Sequence, residues 1–385
     1  MLEQYTLKMP HAVYAGKGAL ANIKDITAQN AKKIAVFADQ GIIGAGLLEA
    51  PLNYIKEAGV AYEIISDLAA EPTCDQAQDV VNEFRNKGCD FIVAVGGGSV
   101  MDTAKLCSIL ATDEYQVRDL LDNPKLAKKC VKSLMIPTTA GTGAEATPNA
   151  IVAVPEKELK VGIVNDEMIP DYVILDGEMI KNLPRKIAAA TGIDAMAHAI
   201  ECFTSNKANP FSDTFALKAF DLIINNIEAA CDDKTADDAR NNMLIAAFYA
   251  GVAITASGTT AVHALSYPLG GKYHIPHGVS NAIMLAPVMK FNEPVVREKF
   301  AAAYDRVNRN GDASLPVEEK SAWVLDRMCS IIKHLDIPTS LKEYGVSKDD
   351  LDFLVTAGMD VQRLLVNNMR KVTAEDARAL YLEIL

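Results

Sequence analysis

The sequence predicts two domains: an α/β domain built on a doubly wound parallel sheet over residues 1–184, and an all-α domain over residues 185–385. Three observations predict this. The first half alternates short runs, apolar on both faces, with runs at helical spacing, as strands covered by helices do. After Leu183-Pro184 come long Ala/Leu/Ile-rich runs at helical spacing with almost no β-like alternation. A length of 385 residues is enough for two separate cores.

In order, Lys33–Ala38 reads as a strand ending at Asp39, followed by a helix around Leu47–Ala58 and the strand Ala61–Ile65. Residues 75–87 read as a helix, Asp90–Val95 as a buried strand and Val100–Leu110 as the next helix. Lys132–Ile136 is another buried strand, and strands near 150–154, 160–164 and 172–175 complete the half. Regular β/α alternation of this kind builds a right-handed, doubly wound sheet. In the second half, Ser212–Ala230, Asp237–Ala256, Val317–Lys333 and Ala374–Leu385 read as helices, punctuated by Pro287, Pro294, Pro316 and Pro338.

Half the residues are hydrophobic and 23% are charged, an ordinary balance for a soluble globular chain. A net charge of −12 argues against nucleic acid or an anionic membrane as partner. Met1-Leu2-Glu3-Gln4-Tyr5 has neither a basic n-region nor an apolar h-region, so no signal peptide is read. No apolar run reaches the length of a membrane span. The seven cysteines (Cys74, Cys89, Cys107, Cys130, Cys202, Cys231, Cys329) never fall in C-x-x-C spacing, which suits free thiols in a reducing cytoplasm. Cys202, close to His198 in sequence, reads as a small core residue.

Gly96-Gly97-Gly98-Ser99 follows the buried strand and opens a helix. Glycines let the backbone approach an anion, and the exposed N–H groups of a helix start stabilise it, so this turn reads as a phosphate site. Ser99 is expected to cap the helix, with Asp102 in capping-box position. Neither the G-x-G-x-x-G spacing nor a Walker A lysine is present, and Gly41–Gly46 reads as a loop. Asp39, at a strand end, is either a solvated loop residue or the carboxylate that receives the hydroxyls of an adenosine ribose and repels a 2′-phosphate. Pro137-Thr138-Thr139-Ala140-Gly141-Thr142-Gly143-Ala144-Glu145 is a second hydroxyl-rich turn at a strand end.

The chain has six histidines, and His198, His263, His274 and His277 all fall in the stretch from Asp194 to His277. Asp194 and His198, four apart in an apolar helical run, share one helix face about 6 Å apart. His263 lies in the apolar run Ala261–Leu265, and His277 precedes the helical Val279–Leu285. A histidine at a helix start is held neutral, the form that ligates metal. One carboxylate with three imidazoles suits Fe²⁺ or Zn²⁺ and disfavours Mg²⁺ or Ca²⁺.

Four motifs in this order resemble the iron-containing (group III) alcohol dehydrogenases over essentially the whole chain. They are Gly96-Gly97-Gly98-Ser99-x-x-Asp102-x-Ala104-Lys105, Pro137–Glu145, Gly192-x-Asp194-Ala195-x-x-His198-Ala199-x-Glu201 and Pro276-His277-Gly278. The lactaldehyde reductase and 1,3-propanediol dehydrogenase branch is nearest in pattern. The resemblance implies a dehydroquinate synthase-like architecture: a Rossmann-like NAD-binding domain, a helical domain and a metal in the cleft between them. It implies reversible hydride transfer between nicotinamide and a short-chain alcohol or aldehyde, in a homodimer or larger homo-oligomer.

Carried over by position, the metal ligands are Asp194, His198, His263 and His277, with Fe²⁺ favoured and Zn²⁺ the alternative. Gly97, Gly98 and Ser99 take the pyrophosphate, Thr138, Thr139 and Thr142 contact the cofactor, Lys160 meets the nicotinamide ribose, and Asp102 lies on the nicotinamide side. Asp39 falls where the family discriminates NAD from NADP, and favours NAD. Two positions depart from the pattern. Tyr267 stands where many relatives carry a proton-relay histidine, which leaves Tyr267 or His274 for that role, and Ala144 replaces a common serine. A dehydroquinate-synthase-type lyase using NAD and metal is the alternative. It would need several cations around the metal, where only Lys272, Lys207 and Arg363 are at hand. Lys272 leaves room for a substrate with an anionic tail.

Overall fold

The computed structural model describes residues 4–157, 159–309 and 311–385; Met1–Glu3, on which the reading of the N-terminus rests, lie outside the described residues. Contacts divide the chain into two units, Lys8–Leu183 and Pro184–Leu385, the latter joined by residues 4–7.

The strands of the first unit are β1 Ala12–Ala15, β2 Lys33–Phe37, β3 Ala61–Ile65, β4 Phe91–Gly96, β5 Lys132–Pro137, β6 Asn149–Val154, β7 Leu159–Val164 and β8 Tyr172–Leu175. Its helices are α1 Asn22–Asn30, α2 Gln40–Gly44, α3 Glu49–Glu57, α4 Cys74–Lys87, α5 Gly98–Ile109 and α6 Val117–Asp122. Among the described residues one six-stranded sheet runs β1-β8-β5-β4-β2-β3, with every neighbouring pair parallel. Alternate side chains go to opposite faces. Phe37, Ile92, Ala94 and Met135 pack with Val81, Phe84, Met101 and Leu106 of α4 and α5. Val36, Val93, Val95 and Ile136 pack with Ile23, Ile26 and Ile55 of α1 and α3. Each such side chain contributes about 1.5–3 kcal/mol by leaving water, so strands buried on both faces read as continuous apolar runs.

Three local expectations fail for a definable reason, and a fourth fails too, since Pro287 and Pro294 lie inside the helix His277–Val307 instead of between helices. The strands at 150–154 and 160–164 do not extend the parallel sheet; β6 and β7 form a separate antiparallel pair in which Ala153 faces Lys160. The link from Val154 to Leu159 is too short for the crossover a parallel pair needs. Gly41–Gly46 is not all loop, because the Asp39 carboxylate accepts a 2.9 Å bond from the Ile42 N–H and starts α2. Ser99 does not cap α5. The helix begins at Gly98 with Gly97 as its cap residue, which places Ser99 inside the first turn, and its hydroxyl donates instead to the Ala70 carbonyl. Asp102 accepts from the Ile151 N–H at 3.0 Å and lies 2.9 Å from Lys105 Nζ.

The strand order fixes where this unit opens a crevice. From β2 the sheet continues to β3 on one side and β4 on the other, a switch point of the kind that opens a crevice beyond the strand ends. Phe37 pairs with Ala94 and Gly96 with Pro137, so Asp39, the glycine turn and Thr138 follow three adjacent strand ends.

The second unit holds α7 Arg185–Phe203, α8 Pro210–Asp232, α9 Asp237–Ser257, α10 Ala261–Tyr273, α11 His277–Val307, α12 Val317–His334, α13 Leu351–Asp360, α14 Gln362–Leu365 and α15 Ala374–Ile384. It is helical throughout its described residues, apart from short 3₁₀ turns and one isolated bridge between Ser205 and Asn368. No single described helix is long and apolar enough to cross a membrane.

Lys105 is fully buried, and its ammonium donates to the Ala144 carbonyl at 3.0 Å and to Thr147 Oγ1 at 3.3 Å, tying the threonine turn to α5. The neighbouring Glu145 is also buried, and burial pushes its carboxyl up to about 7 despite the Lys105 charge. The folded state therefore binds this proton more tightly than the unfolded chain does. Stability should fall by on the order of 3 kcal/mol as pH rises from the ordinary carboxylate value to about 7, and then level off. Glu145→Gln should match the parent in thermal unfolding at pH 4.5 and melt several degrees higher at pH 8. An equal gain at both pH values would contradict the assignment.

Candidate metal centre

Four polar side chains converge in the apolar interior of the helical unit. Asp194 and His198 lie one turn apart on α7 and are buried, as is His263 near the start of α10; His277 opens α11. From Asp194 Oδ1 it is 3.9 Å to His198 Nε2, 3.6 Å to His263 Nε2 and 3.6 Å to His277 Nε2. One donor atom from each of the four lies within 4.8 Å of all the others. Four donors at metal–ligand length in a tetrahedral site stand about 3.4 Å apart, so the spacing suits a single ion. The His198 and His263 rings stack at 4.5 Å. Only the His277 side chain is appreciably exposed, at 37%, which makes its side the open one.

Electrostatics favour a cation here. Burial alone would push Asp194 up, but the facing His198, His277 and His263 hold it far below the usual carboxylate range. Burial likewise opposes protonation of His263, yet Glu201 and Asp194 raise it to about 10. A divalent ion satisfies the same two carboxylates once that proton has left.

Two further residues shape the centre, and neither was assigned from the sequence. Glu201 is fully buried on α7. Its Oε1 accepts from the Thr260 N–H at 3.0 Å, the Thr260 hydroxyl at 2.8 Å, the Val262 N–H at 2.8 Å and the His263 N–H at 3.3 Å. It thereby caps α10, whose own cap residue, Thr260, offers no side-chain bond. Its Oε2 meets His263 Nδ1, which keeps the proton on Nδ1 and leaves Nε2 to face Asp194. The signal was there, a carboxylate three residues after His198 in an apolar helix. Asn281, four after His277 on α11, accepts from the Ser266 hydroxyl. Its Nδ2 lies 2.6 Å from Asp194 Oδ1, 3.0 Å from His263 Nε2 and 3.2 Å from His277 Nε2.

Gly278 explains how α11 reaches this place. A Cβ there would stand 2.3 Å from the Ala190 carbonyl oxygen of α7, so only glycine lets the two backbones approach.

The other residues singled out in this unit separate. Tyr267 lies one turn beyond His263, with its ring 6.2 Å from that of His277. His274 is exposed, takes a left-handed backbone (φ 55) at the end of α10 and is not part of the quartet. Lys272 Nζ is 3.9 Å from Asp350 and 3.9 Å over the Phe353 ring. Cys202 is fully buried, and burial pushes its thiol up, as a core residue requires.

In the first unit, Gly97 gives the start of α5 no side-chain cap, the kind of helix start that can receive an anion. A Cβ on Gly98 would stand 2.9 Å from Thr142 Cγ2, and one on Gly97 would lie 3.7 Å from Thr139. Gly97, Gly98, Thr139 and Thr142 therefore form one cradle. Thr138 is buried beside it, its N–H donating to the Gly96 carbonyl at 3.0 Å. Ser99 joins through Ala70, and Lys160 binds Glu71 at 2.7 Å, the next residue along that loop. Asp102 sits further along α5 against β6.

Residues 10–177 match the family model described as iron-containing alcohol dehydrogenase, and residues 188–385 match that of the C-terminal part of the Fe-containing alcohol dehydrogenase family. Long-chain-alcohol dehydrogenase 1 of Geobacillus thermodenitrificans is 31% identical over 97% of this chain and 94% of that protein. Lactaldehyde reductase of Escherichia coli is 31% identical over 95% and 96%. A solved structure of 1,3-propanediol oxidoreductase superposes with a TM-score of 0.93 at 28% identity, covering all of both chains.

Glu201→Gln should weaken Fe²⁺ or Zn²⁺ binding about 10- to 100-fold while leaving the far-UV spectrum intact. A glutamine NH₂ facing Nδ1 would force the imidazole proton onto Nε2. Unchanged affinity by anaerobic titration calorimetry would rule this role out.

Proposed function

The chain belongs to the iron-containing alcohol dehydrogenase family, and from that membership we propose that it carries out reversible, NAD-linked hydride transfer on a short aliphatic alcohol or aldehyde. The carrying observation is the quartet Asp194, His198, His263 and His277 with its donor atoms within 4.8 Å of one another. Fe²⁺ is the ion we assign to it, and Zn²⁺ is the other that such donors serve. The lyase alternative is not favoured: the relatives named above are dehydrogenases, reductases and an oxidoreductase, and Lys272, one of the few cations such a lyase could use, lies against Asp350.

When bound, the ion supplies Lewis-acid polarisation of the substrate oxygen, and the nicotinamide supplies or accepts the hydride. The chain's own residues do the rest. Gly97, Gly98 and Ser99 hold the pyrophosphate at the start of α5, and Thr138, Thr139 and Thr142 line the same turn. Asp39, held at the end of β2 by its bond to Ile42, receives the adenosine ribose and repels a 2′-phosphate, which selects NAD over NADP. Lys160 serves the nicotinamide ribose, with Asp102 on the nicotinamide side. Glu201 keeps the His263 tautomer fixed. We assign the proton relay to Tyr267 rather than His274, on the strength of its ring standing 6.2 Å from that of His277.

An anaerobic screen of C2–C4 aldehydes with NADH, on Fe²⁺- and Zn²⁺-loaded protein, should show turnover, and His198→Ala with intact folding should lose at least a thousandfold of it. Full NAD-linked activity in His198→Ala would sink the reading. We further propose a cytoplasmic homodimer or larger homo-oligomer. Light scattering on the eluting protein should give at least twice the chain mass, and a monomer at micromolar concentration would refute it.

A further inference from the structure

Beside Tyr267, whose ring neighbours the exposed member of the quartet, stands a cation with no carboxylate partner among the described residues. Tyr267 stands one helical turn beyond His263 on α10, so its phenol shares the face that carries that ligand. Its ring is 6.2 Å from the ring of His277, the partly exposed member of the four. Arg363, on α14, donates from Nη2 to the Tyr267 hydroxyl oxygen at 3.3 Å, with its guanidinium carbon 5.9 Å from the ring centre. Arg363 is exposed, and among the described residues no carboxylate pairs with it. The other cation weighed for this role, Lys272, has Asp350 at 3.9 Å and covers Phe353. Arg363 is therefore a positive charge beside Tyr267 with no carboxylate partner among the described residues.

We propose that Arg363 is a specificity-determining residue that selects short aldehydes and alcohols carrying an anionic tail, a carboxylate or a sulfonate; this rests on the dehydrogenase reading above. The two contacts through Tyr267 put the guanidinium within about 12 Å of the His277 imidazole. A four-carbon aldehyde ending in a carboxylate spans roughly 6 Å from its carbonyl oxygen to the anion, and the arginine side chain covers the remainder by changing rotamer. A guanidinium takes two oxygens of a carboxylate or sulfonate in parallel, which a neutral hydroxymethyl or methyl end cannot reproduce. Tyr267 tethers the resting guanidinium, from which the side chain swings to the bound anion, so the phenol acts here as a positioning residue.

The test compares pairs matched in length. On Fe²⁺- and Zn²⁺-loaded protein with NADH, kcat/KM is measured for succinate semialdehyde against butanal, and for sulfoacetaldehyde against propanal. The anionic member of at least one pair should be preferred at least tenfold, with the preference shrinking as salt rises. Arg363→Gln should lower that anionic-to-neutral ratio at least tenfold, mainly through KM, and Arg363→Lys should restore part of it. The carboxylate and sulfonate arms separate the two tails. Independently of turnover, calorimetric titration of the Zn²⁺-loaded protein without cofactor should show 4-hydroxybutyrate binding more tightly than 1,4-butanediol, with the difference lost in Arg363→Gln. Equal or better use of the neutral partners in both pairs, or a ratio unmoved by Arg363→Gln, overturns the proposal while leaving the dehydrogenase reading standing. If no aldehyde is reduced, the dehydrogenase reading fails and the binding comparison alone decides the role of Arg363.

Discussion

Two buried carboxylates on one helix set the terms for the rest of the helical unit. Asp194 and Glu201 are taken out of water on α7, and an unpaired buried charge costs several kcal/mol. What answers them is brought from elsewhere in sequence: the first turn and imidazole of α10 for Glu201, and the imidazoles of α10 and α11 for Asp194. The same contacts that neutralise the charge dock the helices, and the close backbone approach at Gly278 draws α11 against α7. A polar centre that would burden the core by itself becomes the point where three helices are registered. The chemistry and the packing are one constraint.

The nucleotide-type unit solves the opposite problem. Its glycine turn is built of backbone at the uncapped start of α5, packed so closely that a Cβ on Gly98 would meet Thr142. The neighbouring threonine turn needs its own support, and the buried Lys105 supplies it by donating to Ala144 and Thr147. Glu145 lies in the same buried pocket of charge, held near neutrality by desolvation.

How much was legible in the sequence follows from this difference. Strands buried on both faces show as unbroken apolar runs, so β2, β4 and β5 were visible, whereas β1, four residues of edge strand, carries no such pattern. The glycine turn and the four converging donors were readable because glycines after a strand and histidines in apolar helices are rare combinations. Ser99 was misread because its hydroxyl serves a contact, the Ala70 carbonyl, that is distant in sequence. Glu201 was visible as a residue but silent as a role, since its partners begin at Thr260. Asn281 is similar: its spacing from His277 is local, but its contacts with Asp194 and His263 are tertiary. Local spacing reveals which groups are unusual; only the fold says what they are unusual for.

The uneven exposure of the quartet has a kinetic meaning. Three donors are sealed in the core and only His277 meets solvent. An ion held by these four would meet solvent on the His277 side, and its loss would begin with that imidazole swinging aside. Exchange would then be slow and stepwise, so the metal found in the protein would reflect which ion was abundant when the helices closed around it as much as which one binds most tightly.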